Sequence, residues 1–403
     1  MEQFRKLREL VEYAYRHAPF YRRLFDAAEF SPDSLKTPQD VQQIPMTRKA
    51  LFQQAQLEEI ISDQYQIDKL VRKRTSGSSG SPLNVYYTPE DRIYRTLLHL
   101  RILFHNGMGW RDRMAHISDS RHAADWRYGF QKLGFLPKDF VYAADSTEKQ
   151  LEVLAVIDPE VIYSYGSSMA LLATEVESRG ASPIHPRLIF TTGELLTQSD
   201  REFINRVFST QVRDIFGIVE MGDVAWQCPV QEGYHLNIDS FFIEIDVNGA
   251  EAEAGAGAMG RLIITNLHSF AMPFIRYEVG DVLSVPEEHP CECGCTFPRV
   301  WVLQGRADDW LYSTAGQRVS PLIFVVASVP GVQQYRMIQK SFDHLIVEIV
   351  PGQDYSSATP KKVEEHVKDV LGCDLKAEVV TVPEIPKDPS GKMRRVVSQI
   401  KSP

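Results

Sequence analysis

Seven consecutive residues, Thr75 to Ser81, are Thr, Ser or Gly, and Pro82 follows them. No side chain in that run can build a core, so the segment must be a loop whose small backbone can close around an anion, with N–H groups and hydroxyls turned inward. Arg72, Lys73 and Arg74 precede it, and Asn84 to Thr88 reads as a strand. Two readings follow: a phosphate-binding loop, or a flexible Ser/Gly linker. A Walker loop is excluded, because Gly77 is not followed at the required spacing by Gly-Lys-Ser/Thr.

The surrounding pattern sets the architecture. Leu7, Leu10, Val11, Ala14 and Tyr15 recur at helical spacing, and Pro19 breaks the run into a second short helix. Asp91 to His105 is helical, Val153 to Ser164 passes from a helix end into a buried strand, Met169 to Ser178 is helical, and Leu188 to Thr192 is an apolar strand. Arg111 to Ala144 is mixed, polar and aromatic. Alternating strands and helices predict an α/β sheet. From Gly233 onward, HLNIDSFFIEIDVNG and RLIITNL alternate like antiparallel strands, joined by EAEAGAGAMG. Gly255, Gly257 and Gly260 have G-x-G-x-x-G spacing, but a strand rather than a helix follows, which favours a hairpin over a dinucleotide site. After Asp308 and Asp309 a smaller α+β unit is expected: strands at Arg336–Gln339 and His344–Val350, a helix at Thr359–Leu371, a strand at Lys376–Val382, then a polar tail.

With 403 residues the chain has room for two or three domains. A net charge of −9 argues against a nucleic-acid footprint or a basic membrane patch. MEQFRKLREL carries charge where a signal peptide needs an apolar core, and no apolar run spans a bilayer, so a cytoplasmic protein is the expectation. Five cysteines are too few for a disulfide framework and point to metal or free thiols.

Five short stretches then occur in a telling order: TSGSSGSP (Thr75–Pro82), FGIVE (Phe216–Glu220), RYEVGD (Arg276–Asp281), GRADD (Gly305–Asp309) and PKDPSGKMRR (Pro386–Arg395). In this the chain resembles the adenylate-forming superfamily of acyl-CoA synthetases, and within it the branch of phenylacetate-CoA ligases and coenzyme F390 synthetases. The resemblance runs from HAPFYRRLF to the last lysine motif. It implies a large N-terminal domain, residues 1–307, of β-sheets packed with helices plus a β-barrel-like part, and a smaller mobile α+β C-terminal domain, residues 308–403. It also implies a reaction in which a carboxylate attacks the α-phosphorus of ATP, pyrophosphate leaves, and a thiol displaces AMP. Charge builds on phosphate oxygens in both steps, so donors and cations must be placed to receive it.

Carried over by that resemblance, Thr75, Ser76, Gly77, Ser78, Ser79 and Gly80 hold the leaving phosphates. Gly193 and Glu194, after Thr192, form the adenine loop, joined at the nucleotide by Asp214, Phe216 and Gly217. Phe216 stacks on adenine, and core packing is its plain alternative. Glu220 is the Mg²⁺ ligand, a hard oxygen donor for a hard cation. Asp281 takes the ribose hydroxyls, with a turn aspartate after Gly280 as the bland reading. Arg276 and Arg306 are phosphate candidates, or surface ion pairs. Asp308 is the hinge. Lys392 is the mobile catalytic lysine, against the alternative of a plain basic tail.

Two positions depart from the family: Ser81 and Leu83 flank Pro82 where relatives often carry a lysine, and Val219 stands where Ser or Thr is usual. Cys228, His235, Cys291 and Cys293 supply donors for a closed, structural tetrahedral zinc in a subregion of about residues 225–300, with Cys295 as a possible substitute and free buried thiols as the alternative. The resemblance implies an aromatic carboxylic acid and coenzyme A as partners, and leaves a homodimer open. Arg121–Gly134 and Tyr163–Ser168 are expected to line the acid pocket. Two competitors remain open at this level: an adenylating enzyme that serves a carrier protein, and a zinc-stabilised nucleotide-binding protein that has lost catalysis.

Overall fold

The computed structural model describes residues 2–75, 82–118, 129–194, 196–247, 258–284, 289–300, 302–306, 311–319, 326, 329–352, 354–387 and 393–400. The chain forms two compact units, each discontinuous in sequence: Met1–Asn106 with Ile215–Leu303, and Gly107–Asp214 with Gln304–Pro403.

In the first unit the opening helix, Glu2–His17, buries Phe4, Leu7, Leu10, Val11 and Ala14 along one face. Pro19 starts the next helix, Pro19–Ala27, at a position where its missing N–H has no helical partner to lose. Tyr21 ties this helix to the sheet: its hydroxyl donates to Pro273 O at 2.9 Å and accepts from Ile275 N at 3.0 Å. Strands Phe241–Asp246, Met259–Asn266 and Tyr277–Ser284 pair antiparallel in that order, and Thr47–Arg48 adds a parallel edge to the last. Gly260 lies inside its strand, where a Cβ would come 2.5 Å from Ile245 Cγ2 and 3.0 Å from Asp246 O. Close strand packing is therefore what this glycine serves; Gly255 and Gly257 lie outside the described residues. The long helix Pro89–His105 begins on a capping box between Thr88 and Asp91 with Pro89 in the first turn.

The second unit holds a parallel sheet in the order Lys138–Tyr142, Met114–Ser118, Val161–Tyr165, Leu188–Thr192. Helices Thr147–Ile157, Gly166–Arg179 and Gln198–Phe208 bury Leu151, Leu154, Leu172 and Ile204 in the same core as Ile162 and Ile189. A separate core belongs to the C-terminal part, where the sheet order is Lys376–Thr381, His344–Pro351, Val332–Ser341, Val396–Ser398, and helix Thr359–Leu371 buries Val363, Val367 and Leu371. The segment read as a polar tail thus ends in a strand: Val396 to Ser398 pairs in parallel with Met337 to Gln339. Three residues between basic and polar neighbours are too short to show a period of two, and only the long-range pairing makes them a strand. No described helix is long and apolar enough to cross a membrane.

Candidate active site

In the first unit, strands Val71–Arg74 and Asn84–Tyr87 pair antiparallel, from Val71 opposite Tyr87 to Arg74 opposite Asn84. Thr75 closes the base of the connection: its N–H donates to Leu83 O at 2.9 Å and its Oγ1 accepts from Leu83 N at 2.9 Å. The Ser/Gly run therefore connects two paired strands rather than two independent modules. Ser76, Gly77, Ser78, Ser79 and Gly80 lie outside the described residues.

FGIVE sits where strand Val212–Ile218 turns into strand Gly222–Trp226. The register slips between Phe216 and Gly217, and Ile218 pairs with Gly222. A Cβ at Gly217 would lie 3.0 Å from Asp223 Oδ1 and 3.1 Å from Gly222 O, so any side chain there would push its neighbours back by a few tenths of an ångström. Phe216 and Val219 are half-buried against the unit's core. At the tip, the carboxylate of Glu220 is buried and accepts a hydrogen bond from Tyr277 Oη at 3.0 Å. Its second oxygen has no partner among the described residues. A buried carboxylate with one oxygen held and the other available is suited to a hard cation.

Asp281 is buried within strand Tyr277–Ser284, directly after Gly280 at φ +89°, so it belongs to an irregular strand rather than a surface turn. Arg276 differs from its expected phosphate role. Its Nε reaches both Glu244 oxygens at 3.1 Å, Nη2 donates to Glu244 Oε1 at 2.8 Å, and Nη1 donates to Gln42 O at 2.9 Å and Ile44 O at 2.7 Å. A buried guanidinium engaged on these sides braces the sheet instead of meeting a ligand.

In the second unit, Asp214 is buried and accepts the Thr191 hydroxyl at 2.6 Å. Gly193 takes φ +76°, and the Glu194 carboxylate accepts from Ser167 N at 2.9 Å and Met393 N at 2.8 Å. The segment around the C-terminal lysine motif is thus tied to this loop by Met393. Two further bonds hold it: Arg395 Nη2 donates to Asp200 Oδ1 at 3.0 Å, and Lys387 Nζ donates to Ala143 O at 2.9 Å. Burial pulls the Lys387 ammonium below its ordinary range. Lys392 and Asp308 lie outside the described residues, as does the side chain of Arg306, whose backbone ends strand Val302–Arg306. Tyr277 stands inside a recognised motif, whereas Arg95 and Asp200 gave no local signal: an arginine or aspartate on a polar helix looks like solvated surface.

The cysteine cluster is also in the first unit. One donor atom each from Cys228, His235, Cys291 and Cys293 lies within 4.8 Å of the others. Cys228 Sγ is 3.6 Å from Cys291 Sγ, and Cys293 Sγ is 3.3 Å from His235 Nε2. His235 Nδ1 faces Phe297 O at 3.0 Å, which makes Nδ1 the protonated nitrogen and leaves Nε2 for a metal. Burial and the neighbouring thiols push Cys293 up to about 12, so a cation is what would allow the thiolates to coexist at neutral pH. Cys295 stands outside the set, its N–H donating to Cys293 Sγ at 3.4 Å.

Comparison with known proteins agrees with these motifs. The CapK C-terminal domain family matches residues 311–399. A phenylacetate-coenzyme A ligase of Thermus thermophilus is 26% identical over 98% of this chain and 95% of its own, and one of Escherichia coli is 29% identical over 77% and 71%. Protein CapK of Staphylococcus aureus is 22% identical over 99% and 89%. Among solved structures, 2-hydroxyisobutyryl-CoA ligase in its postadenylation state aligns with a TM-score of 0.81 at 20% identity, covering 98% of this chain and 89% of that one. Over nearly its whole length the chain is thus similar to phenylacetate-CoA ligases, and its fold is that of a solved acyl-CoA ligase.

Proposed function

We propose that the chain joins a carboxylic acid to coenzyme A at the expense of ATP. A carboxylate oxygen attacks the α-phosphorus, the bond to the β-phosphate bridging oxygen breaks, and pyrophosphate leaves. The CoA sulfur then attacks the acyl carbon, and AMP departs with the oxygen that came from the acid. In this reading Glu220 holds Mg²⁺, Asp281 the ribose, Phe216 the adenine face, and the Thr75–Gly80 loop the leaving phosphates. Lys392 stabilises charge at the α-phosphate during the first step only. A bound Mg²⁺ would supply positive charge to the phosphate oxygens. Residues 308–403 act as the mobile part about Asp308, distinct from residues 1–307. Cys228, His235, Cys291 and Cys293 hold a structural Zn²⁺, and a homodimer in the cytoplasm completes the proposal.

The observation carrying this reading is the Glu220 carboxylate, buried at a turn tip with Tyr277 on one oxygen and no partner for the other among the described residues. An aromatic acid is proposed from the phenylacetate-CoA ligases among the relatives. A panel of aryl, arylacetic and short hydroxy acids, assayed for pyrophosphate release and for thioester with CoA or with a phosphopantetheinyl carrier protein, tests it. Acid-dependent release and CoA thioester are expected with an aromatic acid. Thioester on the carrier alone would reassign the acceptor, and no release with any acid would refute the proposal.

A further inference from the structure

Resting on the reading of Glu220 as the metal ligand, we infer that Arg95 is the positioning residue that presents this carboxylate to a divalent cation. Arg95 lies in helix Pro89–His105, and its two terminal nitrogens grip successive carbonyls of the turn: Nη1 donates to Val219 O at 2.9 Å, and Nη2 to Glu220 O at 2.8 Å. Two bonds from one planar group to adjacent carbonyls fix the orientation of the intervening peptide as well as its position. A lysine, with a single ammonium, would not reproduce that fork.

The guanidinium is itself fixed. Its central carbon lies 4.6 Å above the ring of Tyr87, a buried residue, so the cation is held by an aromatic face on one side and by the turn on the other. Gly222, at φ +92°, comes just after the turn, and a Cβ there would stand 3.6 Å from Arg95 Cγ, so the turn lies directly against the arginine stem. Burial pulls Arg95 below its ordinary range, against the opposing influence of Tyr87 and the carboxylates of Asp91, Asp223 and Glu220. Val219 contributes no hydroxyl to the turn. The backbone of Glu220 is thus held from the helix, its Oε1 by Tyr277, and its remaining oxygen is aimed by both.

Arg95→Lys and Arg95→Met in the full chain test this. Mn²⁺ affinity, followed by the loss of the free-ion EPR signal with a non-hydrolysable ATP analogue present, is expected to fall by about tenfold to a hundredfold, the usual effect of losing a group that orients a metal ligand. The Mg²⁺ concentration giving half-maximal acid-dependent pyrophosphate exchange should rise by a similar factor. At saturating Mg²⁺ the exchange rate should return to within about threefold of the parent, a split that a loss of folded protein would not produce. If Arg95→Met fails to fold, Arg95→Lys decides the matter. Unchanged Mn²⁺ affinity in a folded variant, or a rate loss that Mg²⁺ does not repair, would overturn the inference. A parent protein that activates no acid would instead overturn the proposed function, so the two failures are distinct.

Discussion

Lys392→Ala is expected to reduce acid-dependent pyrophosphate exchange by about 10²–10³-fold, the effect of removing one preorganised donor from a developing charge. Thioester formation from acyl-adenylate supplied ready-made should remain within about threefold. The split follows from the chemistry: an ammonium beside the α-phosphate is needed while pyrophosphate leaves, and not while a thiol attacks the acyl carbon. The residues that follow Lys392 are anchored: Met393 N is held by Glu194 and Arg395 by Asp200, while Met393 packs with Val350 and Ile385. Rapid-quench assay of the two half-reactions separately checks it. Equal losses in both would mean that the substitution disturbs the fold, and no loss in either would remove Lys392 from the mechanism.

Loss of the metal cluster is expected to be the largest effect on stability. Cys228→Ser and His235→Ala should each lower bound zinc from one equivalent per chain towards none and reduce the thermal midpoint by roughly 10 °C. That corresponds to about 4 kcal/mol, the stabilisation from a ligand present at a thousandfold its dissociation constant. The four donors come from strand Tyr234–Leu236 and the loops at Cys228 and Cys291–Cys293, and strand Tyr234–Leu236 pairs with both Gly222–Trp226 and Arg299–Val300. Without a metal, Cys228 and Cys291 would remain as buried thiols beside His235, and the two loops would lose their link to strand Tyr234–Leu236. Elemental analysis with calorimetry checks the prediction, and a zinc-free protein with an unchanged midpoint would contradict it. Cys295→Ser should change neither quantity.

Much of the molecule could be read locally. Leu7, Leu10, Val11 and Ala14 announce a helix by spacing, and the helix read over Asp91–His105 is there, starting two residues earlier at Pro89 on the Thr88–Asp91 cap. Cys228, His235, Cys291 and Cys293 declare themselves by residue type, since few other roles gather three thiols and an imidazole in a chain with five cysteines. What stayed hidden depends on pairing across long sequence separations. Arg276 sits in a motif that suggests phosphate, yet Glu244 and the carbonyls of Gln42 and Ile44 claim its guanidinium. Arg95 looks like the polar side of a helix until the turn at Val219 folds against it. Val396 to Ser398 becomes a strand only when Met337 supplies a partner, and each compact unit joins two segments that are far apart in sequence.

The measurement that bears most directly on the account follows oxygen. With the acid selected by the panel, labelled with ¹⁸O in its carboxylate, complete turnover with ATP and CoA should place one ¹⁸O in the phosphate of each AMP, detected by mass spectrometry. Unlabelled AMP, or ADP and labelled inorganic phosphate in its place, would show that the acid never attacks the α-phosphorus, and the acyl-adenylate mechanism would be wrong.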